Sequence, residues 1–189
     1  MIQIRRDCFE TNSSSSHSLV ISNKDNGRYT PEEAYEEISW SMDNGWWDLP
    51  GGLLYFGRAP FRVLSSFEEK LRYVFAHTPY RRRPSKRHPE YDNYSAQYWR
   101  ISRRIQKIIP EFKGIRVPRN SSCGTDDQCL WGWLAKANIT LEEFLLNKSI
   151  VVICDGDEYC IWSDMKRLGL VSKDNIKLAL PEREWWEEE

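Results

Sequence analysis

Three times this chain carries the same short helix-start signature, a hydroxyl residue followed three positions later by glutamate. Thr30-Pro31-Glu32-Glu33 places Thr30 as N-cap, proline at the first helical position and Glu33 closing a capping box. Ser66-Phe67-Glu68-Glu69 caps a second helix and Thr140-Leu141-Glu142-Glu143 a third. Soon after the last of these, Ser149-Ile150-Val151-Val152-Ile153-Cys154 runs apolar and β-branched, the pattern of a buried strand. Separate helices mixed with antiparallel strands predict an α+β fold: a small antiparallel or mixed sheet with several packed helices and a basic loop–helix insertion.

The rest of the chain fills this outline. Met1–Ile4 and Leu19–Ile21 read as strands, with the serine run between them as their connection. The first helix is expected over about 30–42, with Ala34, Ile38 and Trp40 inward, and 46–57 as an irregular aromatic loop. A helix over about 67–77 puts Phe67, Leu71, Val74 and Phe75 on one face. Prolines and charge make 77–93 a loop. The next helix, about 94–109, turns Tyr98, Ile101, Ile105, Ile108 and Ile109 inward and Arg100, Arg103, Arg104 and Lys107 outward. A strand at 112–117, a polar loop at 118–127 and helices at 129–138 and 140–147 follow. Asp155-Gly156-Asp157 reads as a turn into a hairpin partner at 158–162, then a short helix at 163–170. The expected organisation is one domain over 1–189, containing a basic aromatic insertion at 78–110 and an acidic, tryptophan-containing tail at 181–189.

Composition narrows the class. The 189 residues are 40% apolar and 29% charged, enough apolar content for a packed core in one domain. Nine tryptophans exceed what such a core needs, so some are expected at the surface, where aromatics favour binding. No apolar run approaches the roughly 20 residues of a membrane span, and Met1–Asp7 lacks a signal core. With five cysteines, an odd number, this predicts reduced thiols in a cytoplasm and no membrane partner.

The net charge of −1 hides a division. From Lys70 to Arg119 there are fourteen Lys/Arg and three acids, so this stretch carries +11 and the remainder −12. Such asymmetry predicts either an anionic partner or strong internal pairing. Arg81, Arg82, Arg83, Lys86 and Arg87 lie among Tyr80, Tyr91, Tyr94, Tyr98 and Trp99, and Arg100, Arg103 and Arg104 extend the patch along a helix. Cations interleaved with aromatics suit phosphate contact plus base stacking. The bland alternative is a solvated helix face.

A second candidate is the run Asn12-Ser13-Ser14-Ser15-Ser16-His17. Its backbone N–H groups can form a concave anion site, with Arg5, Asn12, Ser13 and Ser14 as phosphate contacts. His17 as general base, Ser15 as hydroxyl and Asp126 as acidic partner would make it catalytic. The bland reading is a capped polar turn. No cofactor is expected; the alternative is magnesium at Asp155 and Asp157, joined by Asp126, Asp127 and Glu158. Zinc is disfavoured, because Cys123/Cys129 and Cys154/Cys160 are each separated by five residues where structural sites use two to four. Cys154 reads as a buried thiol.

The stretch Arg5-Arg6-Asp7-Cys8-Phe9-Glu10-Thr11-Asn12-Ser13-Ser14-Ser15-Ser16-His17-Ser18 resembles the N-terminal signature of small phage and prophage proteins of Gram-positive bacteria. Phe56-Gly57-Arg58-Ala59-Pro60-Phe61, Asp126-Asp127-Gln128 and Asp155-Gly156-Asp157-Glu158-Tyr159 are similar to further blocks of that group. Where the group reads D-H-Q-S, this chain reads Asp126-Asp127-Gln128-Cys129, so no histidine role carries over there. The resemblance implies an origin, a mobile-element protein acting in a bacterial host cytoplasm. It implies no reaction.

Together these readings predict a phage-derived host-interaction protein. Its partner would be a bacterial protein, ribonucleoprotein or nucleic acid, and an anti-defence inhibitor of the anti-CRISPR kind is one concrete form. The alternatives are a nucleotide- or nucleic-acid-processing enzyme built on the serine run and His17, and a virion assembly factor.

Overall fold

A computed structural model describes residues 2–4, 16–22, 25–49, 54–55, 62–78, 80–84, 92–116, 123–124 and 130–155. The fold is α+β. Strand β1 (Ile2–Ile4) pairs with β2 (Ser16–Ile21), helix α1 spans Pro31–Ser39, and β3 (Met42–Asp43) turns into β4 (Trp46–Asp48). Then come β5 (Leu54–Tyr55), β6 (Arg62–Leu64), α2 (Phe67–Ala76), β7 (Tyr80–Pro84), β8 (Asp92–Tyr94) and α3 (Ala96–Gln106). The described chain finishes with β9 (Gly114–Arg116), β10 (Cys123–Gly124), α4 (Leu130–Ala137), α5 (Leu141–Leu146) and β11 (Ile150–Asp155).

The main sheet is antiparallel, in the order β1-β2-β11-β6. The apolar run 150–154 therefore occupies an interior strand, and Ile150 through Cys154 are all buried, as a strand flanked by neighbours and helices requires. A smaller sheet, β3-β4-β9, joins β4 to β9 in parallel; β5 pairs with β10 and β7 with β8.

All three hydroxyl residues cap as their sequence predicts. Thr30 and Ser66 form full capping boxes with Glu33 and Glu69, and Thr140 accepts from the Glu143 N–H. Helix α2 is the hub, with seven of its ten residues buried, so it has almost no solvent face. Tyr73 reaches the main sheet at His17, Arg72 lies over the Trp47 ring of the small sheet, and Phe75 packs on Tyr98 of α3.

Four expectations need correction. The stretch 46–57 contains β4 and β5 where an irregular loop was expected, with Trp47 fully buried and its indole Nε1 donating to Ser41 Oγ at 2.7 Å. The basic stretch 77–93 contains the antiparallel pair β7/β8, with a register shift between Arg81 and Pro84. The polar stretch 118–127 contains β10. Trp40 points outward and is 63% exposed, because two residues past the buried Ile38 it falls about 200° around the helix axis from the core side. The turn and hairpin partner expected after Asp155, the helix at 163–170 and the acidic tail lie outside the described residues.

Candidate functional site

Two regions hold the chemistry-bearing residues that can be placed. The first is one end of the main sheet. The serine run does not stay a turn throughout: Ser16 and His17 belong to β2, where Ser16 stands opposite Asp155 and His17 opposite Cys154. His17 is buried, and its Nδ1 lies 2.9 Å from the Tyr73 hydroxyl. Tyr73 continues to His77, whose ring sits 4.2 Å away and whose Nδ1 lies 2.9 Å from the Tyr73 carbonyl oxygen. Burial pushes the Cys154 thiol up to about 12 while the Arg62 charge pulls the other way, so the thiol stays protonated near neutrality. Cys154 is thus the buried thiol its strand predicts. Arg5, Asn12, Ser13, Ser14, Ser15, Asp126, Asp127, Asp157 and Glu158 lie outside the described residues. Asp155 is placed by its backbone as the last residue of β11. Among the described residues no three His, Cys, Asp or Glu side chains gather as metal ligands.

The second region is the outer face of α3. Ser95 caps the helix by accepting from the Tyr98 N–H at 3.1 Å. Tyr98, Ile101 and Ile105 face the core. The Tyr98 hydroxyl donates to the Ile115 carbonyl at 2.8 Å and accepts from the Ile115 N–H, which locks α3 onto β9. Gly114 permits this approach: its φ is +152°, and a Cβ there would lie 2.5 Å from the Tyr98 oxygen. At the other end Arg104 grips Glu142 of α5 through two hydrogen bonds, at 3.2 and 2.7 Å, and holds that carboxyl below its usual range.

With one side bound in this way, the opposite side faces water. Ala96, Trp99, Arg100, Arg103, Arg104 and Lys107 line an open depression of about 600 Å³. Their spacings of three and four residues put them on one helix face. Among the described residues Arg100, Arg103 and Lys107 form no ion pair, while Arg104 is held by Glu142, whose carboxyl also feels the charge of Lys107. Trp99 is 40% exposed, and its ring makes T-shaped contacts with Trp46 at 6.1 Å and Tyr98 at 5.1 Å, which hold its plane.

Part of the charge division in the sequence resolves into internal pairing. Lys70 is buried and donates to the Asn147 carbonyl at 2.9 Å. Arg72 pairs with Glu68, and Arg116 with Asp43 and Asp48. Lys113 donates to the Asn44 carbonyl. Internal partners hold these cations, Lys113 with its side chain still exposed, and the α3 face carries the placed row of basic residues. Arg81, Arg82 and Arg83 lie on β7, whose partner β8 leads into the Ser95 cap; Lys86 and Arg87 are outside the described residues. Lys70 adds to the charge of the stretch but not to its surface, and only tertiary burial shows that. The sequence signal that found the α3 face was the 3-4 spacing of its cations.

No protein-family model, curated protein or solved structure matches this chain. Among the described residues no helix is long and apolar enough to cross a membrane.

Proposed function

We propose that this protein is a phage-derived host-interaction protein that binds a polyanionic bacterial target, part of the nucleic-acid or defence machinery, through the outer face of α3. The observation that carries the reading is the row Arg100, Arg103, Lys107, three cations without an ion-pair partner among the described residues, beside exposed Trp99. Unpaired cations repel one another along a helix, and an anionic partner relieves that repulsion. The basic strand β7, joined through β8 to the same helix, supports the reading. An anti-defence inhibitor of the anti-CRISPR kind is one concrete form.

A second reading, a nucleotide- or nucleic-acid-processing enzyme, draws on a different observation: Ser16 and His17 stand opposite Asp155 and Cys154 at one sheet end. One experiment separates the two. Tagged protein is expressed in the bacterial host, and its crosslinked partners are identified by mass spectrometry with nuclease-treated controls. The triple variant Arg100→Glu/Arg103→Glu/Lys107→Glu is expected to lose its specific partner while His17→Ala keeps it. The reverse pattern favours the enzyme, and recovery chiefly in purified particles favours a virion assembly factor.

A further inference from the structure

The geometry of α3 points further, to the chemistry of what it holds: we infer that this face is a track for single-stranded nucleic acid, with one base stacked on Trp99 and successive phosphates on Arg100, Arg103 and Lys107. This rests on the α3 reading above and names the ligand of that same face.

Three features argue for a strand over an acidic protein surface. The first is linearity. At about 1.5 Å rise per residue, Arg100 to Lys107 spans about 10 Å along the axis, about three steps of the roughly 3.4 Å phosphate spacing along one strand. The cations thus run along the line of a linear polyanion, while Arg104, held by Glu142, marks the edge of the row. The second is the platform. Trp99 lies one turn before Arg103 and, with Ala96 one turn earlier, lines the same depression as the cation row. T-shaped contacts with Trp46 and Tyr98 hold the ring plane before any ligand arrives, which lowers the ordering cost of stacking. The third is the need for an unpaired base. In a duplex the bases already stack on one another, so a single aromatic platform beside a cation row favours a strand whose bases are free.

The test is fluorescence anisotropy with a labelled 12-nucleotide RNA strand, the same-sequence DNA strand and the corresponding duplex, with polyglutamate as competitor, over a series of salt concentrations. Wild-type protein is expected to bind the single strands more tightly than the duplex and to resist polyglutamate. Arg100→Ala/Arg103→Ala/Lys107→Ala should flatten the slope of log affinity against log salt by about 2, the loss of about three phosphate contacts on a single strand. Trp99→Ala should weaken binding about tenfold with the slope kept, and Trp99→Phe should recover most of it. Should the triple variant lose its helical circular dichroism, Arg103→Ala alone carries the test, with a slope change of about 0.7. Equal affinity for duplex and strand with no effect of Trp99→Ala overturns the single-strand inference. If no oligonucleotide binds, yet the polyglutamate competitor, labelled in turn, binds through the same three cations, the inference falls while the α3 reading survives as an acidic-protein site. If the cation variants change neither oligonucleotide nor polyglutamate binding, both fall.

Discussion

Lys70 and Arg103 belong to the same basic stretch of sequence, and the fold gives them opposite surroundings. Lys70 on α2 has no exposed surface: its ammonium donates to the carbonyls of Asn147 and Ile150 and lies 5.8 Å from the rings of Tyr29 and Phe144. It ties the end of α5 and the start of β11 to the hub helix. Arg103 stands in water on α3, without an ion pair among the described residues. The contrast teaches that charge counted along a sequence says nothing of its use. A buried cation with carbonyl partners holds structure together, and an exposed unpaired one is available to a ligand.

The sharpest way to break this comparison is to remove Lys70. Lys70→Ala leaves a void and removes the ammonium's hydrogen bonds to the Asn147 and Ile150 carbonyls, and should cost about 3 kcal/mol of stability, read as a lower urea midpoint at unchanged slope. Arg103→Ala should stay within about 0.5 kcal/mol while weakening polyanion binding. Equal costs would erase the distinction.

A pH series sharpens it further. Burial pushes the Lys70 pKa down to about 7 from its ordinary 10.5, partly countered by the charges of Glu37 and Glu143. Between those values the unfolded chain binds more protons than the folded one, so this group's contribution to stability rises with pH from about 7 toward 10.5 and is flat below 7. Urea midpoints between pH 6 and 9 should climb in wild type relative to Lys70→Met, which has no proton to lose; parallel curves would mean that Lys70 stays charged in the fold. The same series on Arg103→Ala should track wild type.

The smallest expected effect concerns Arg104, which stands between the two cases. Glu142→Ala frees its guanidinium at a cost of about 0.5 kcal/mol, as for a half-exposed pair. It should add about one contact to the salt dependence of polyanion binding. An unchanged slope in anisotropy would show that Arg104 lies off the track.

Much of this molecule is written locally. Thr30, Ser66, Thr140 and the glutamates behind them determine where three helices begin, because a cap is satisfied within four residues of chain. The apolar run 150–154 determines an interior strand, and the alternation of isoleucines and cations on α3 determines which side faces water. Tertiary structure decided the rest. Trp40 stays outside and Trp47 goes inside, although both sit in one aromatic stretch, because β4 lies between β3 and β9. His17 looked like part of a polar turn; strand pairing draws it into β2, against Tyr73, which arrives from 56 residues away. Lys70 counts in the sequence as one more charge of the basic stretch, and the carbonyls of Asn147 and Ile150, 77 and 80 residues distant, enclose it. Caps and periodicities depend on neighbours in the chain and can be read there. A residue's burial and the partner of its charge depend on segments far along the chain, and they are settled only when those segments pack.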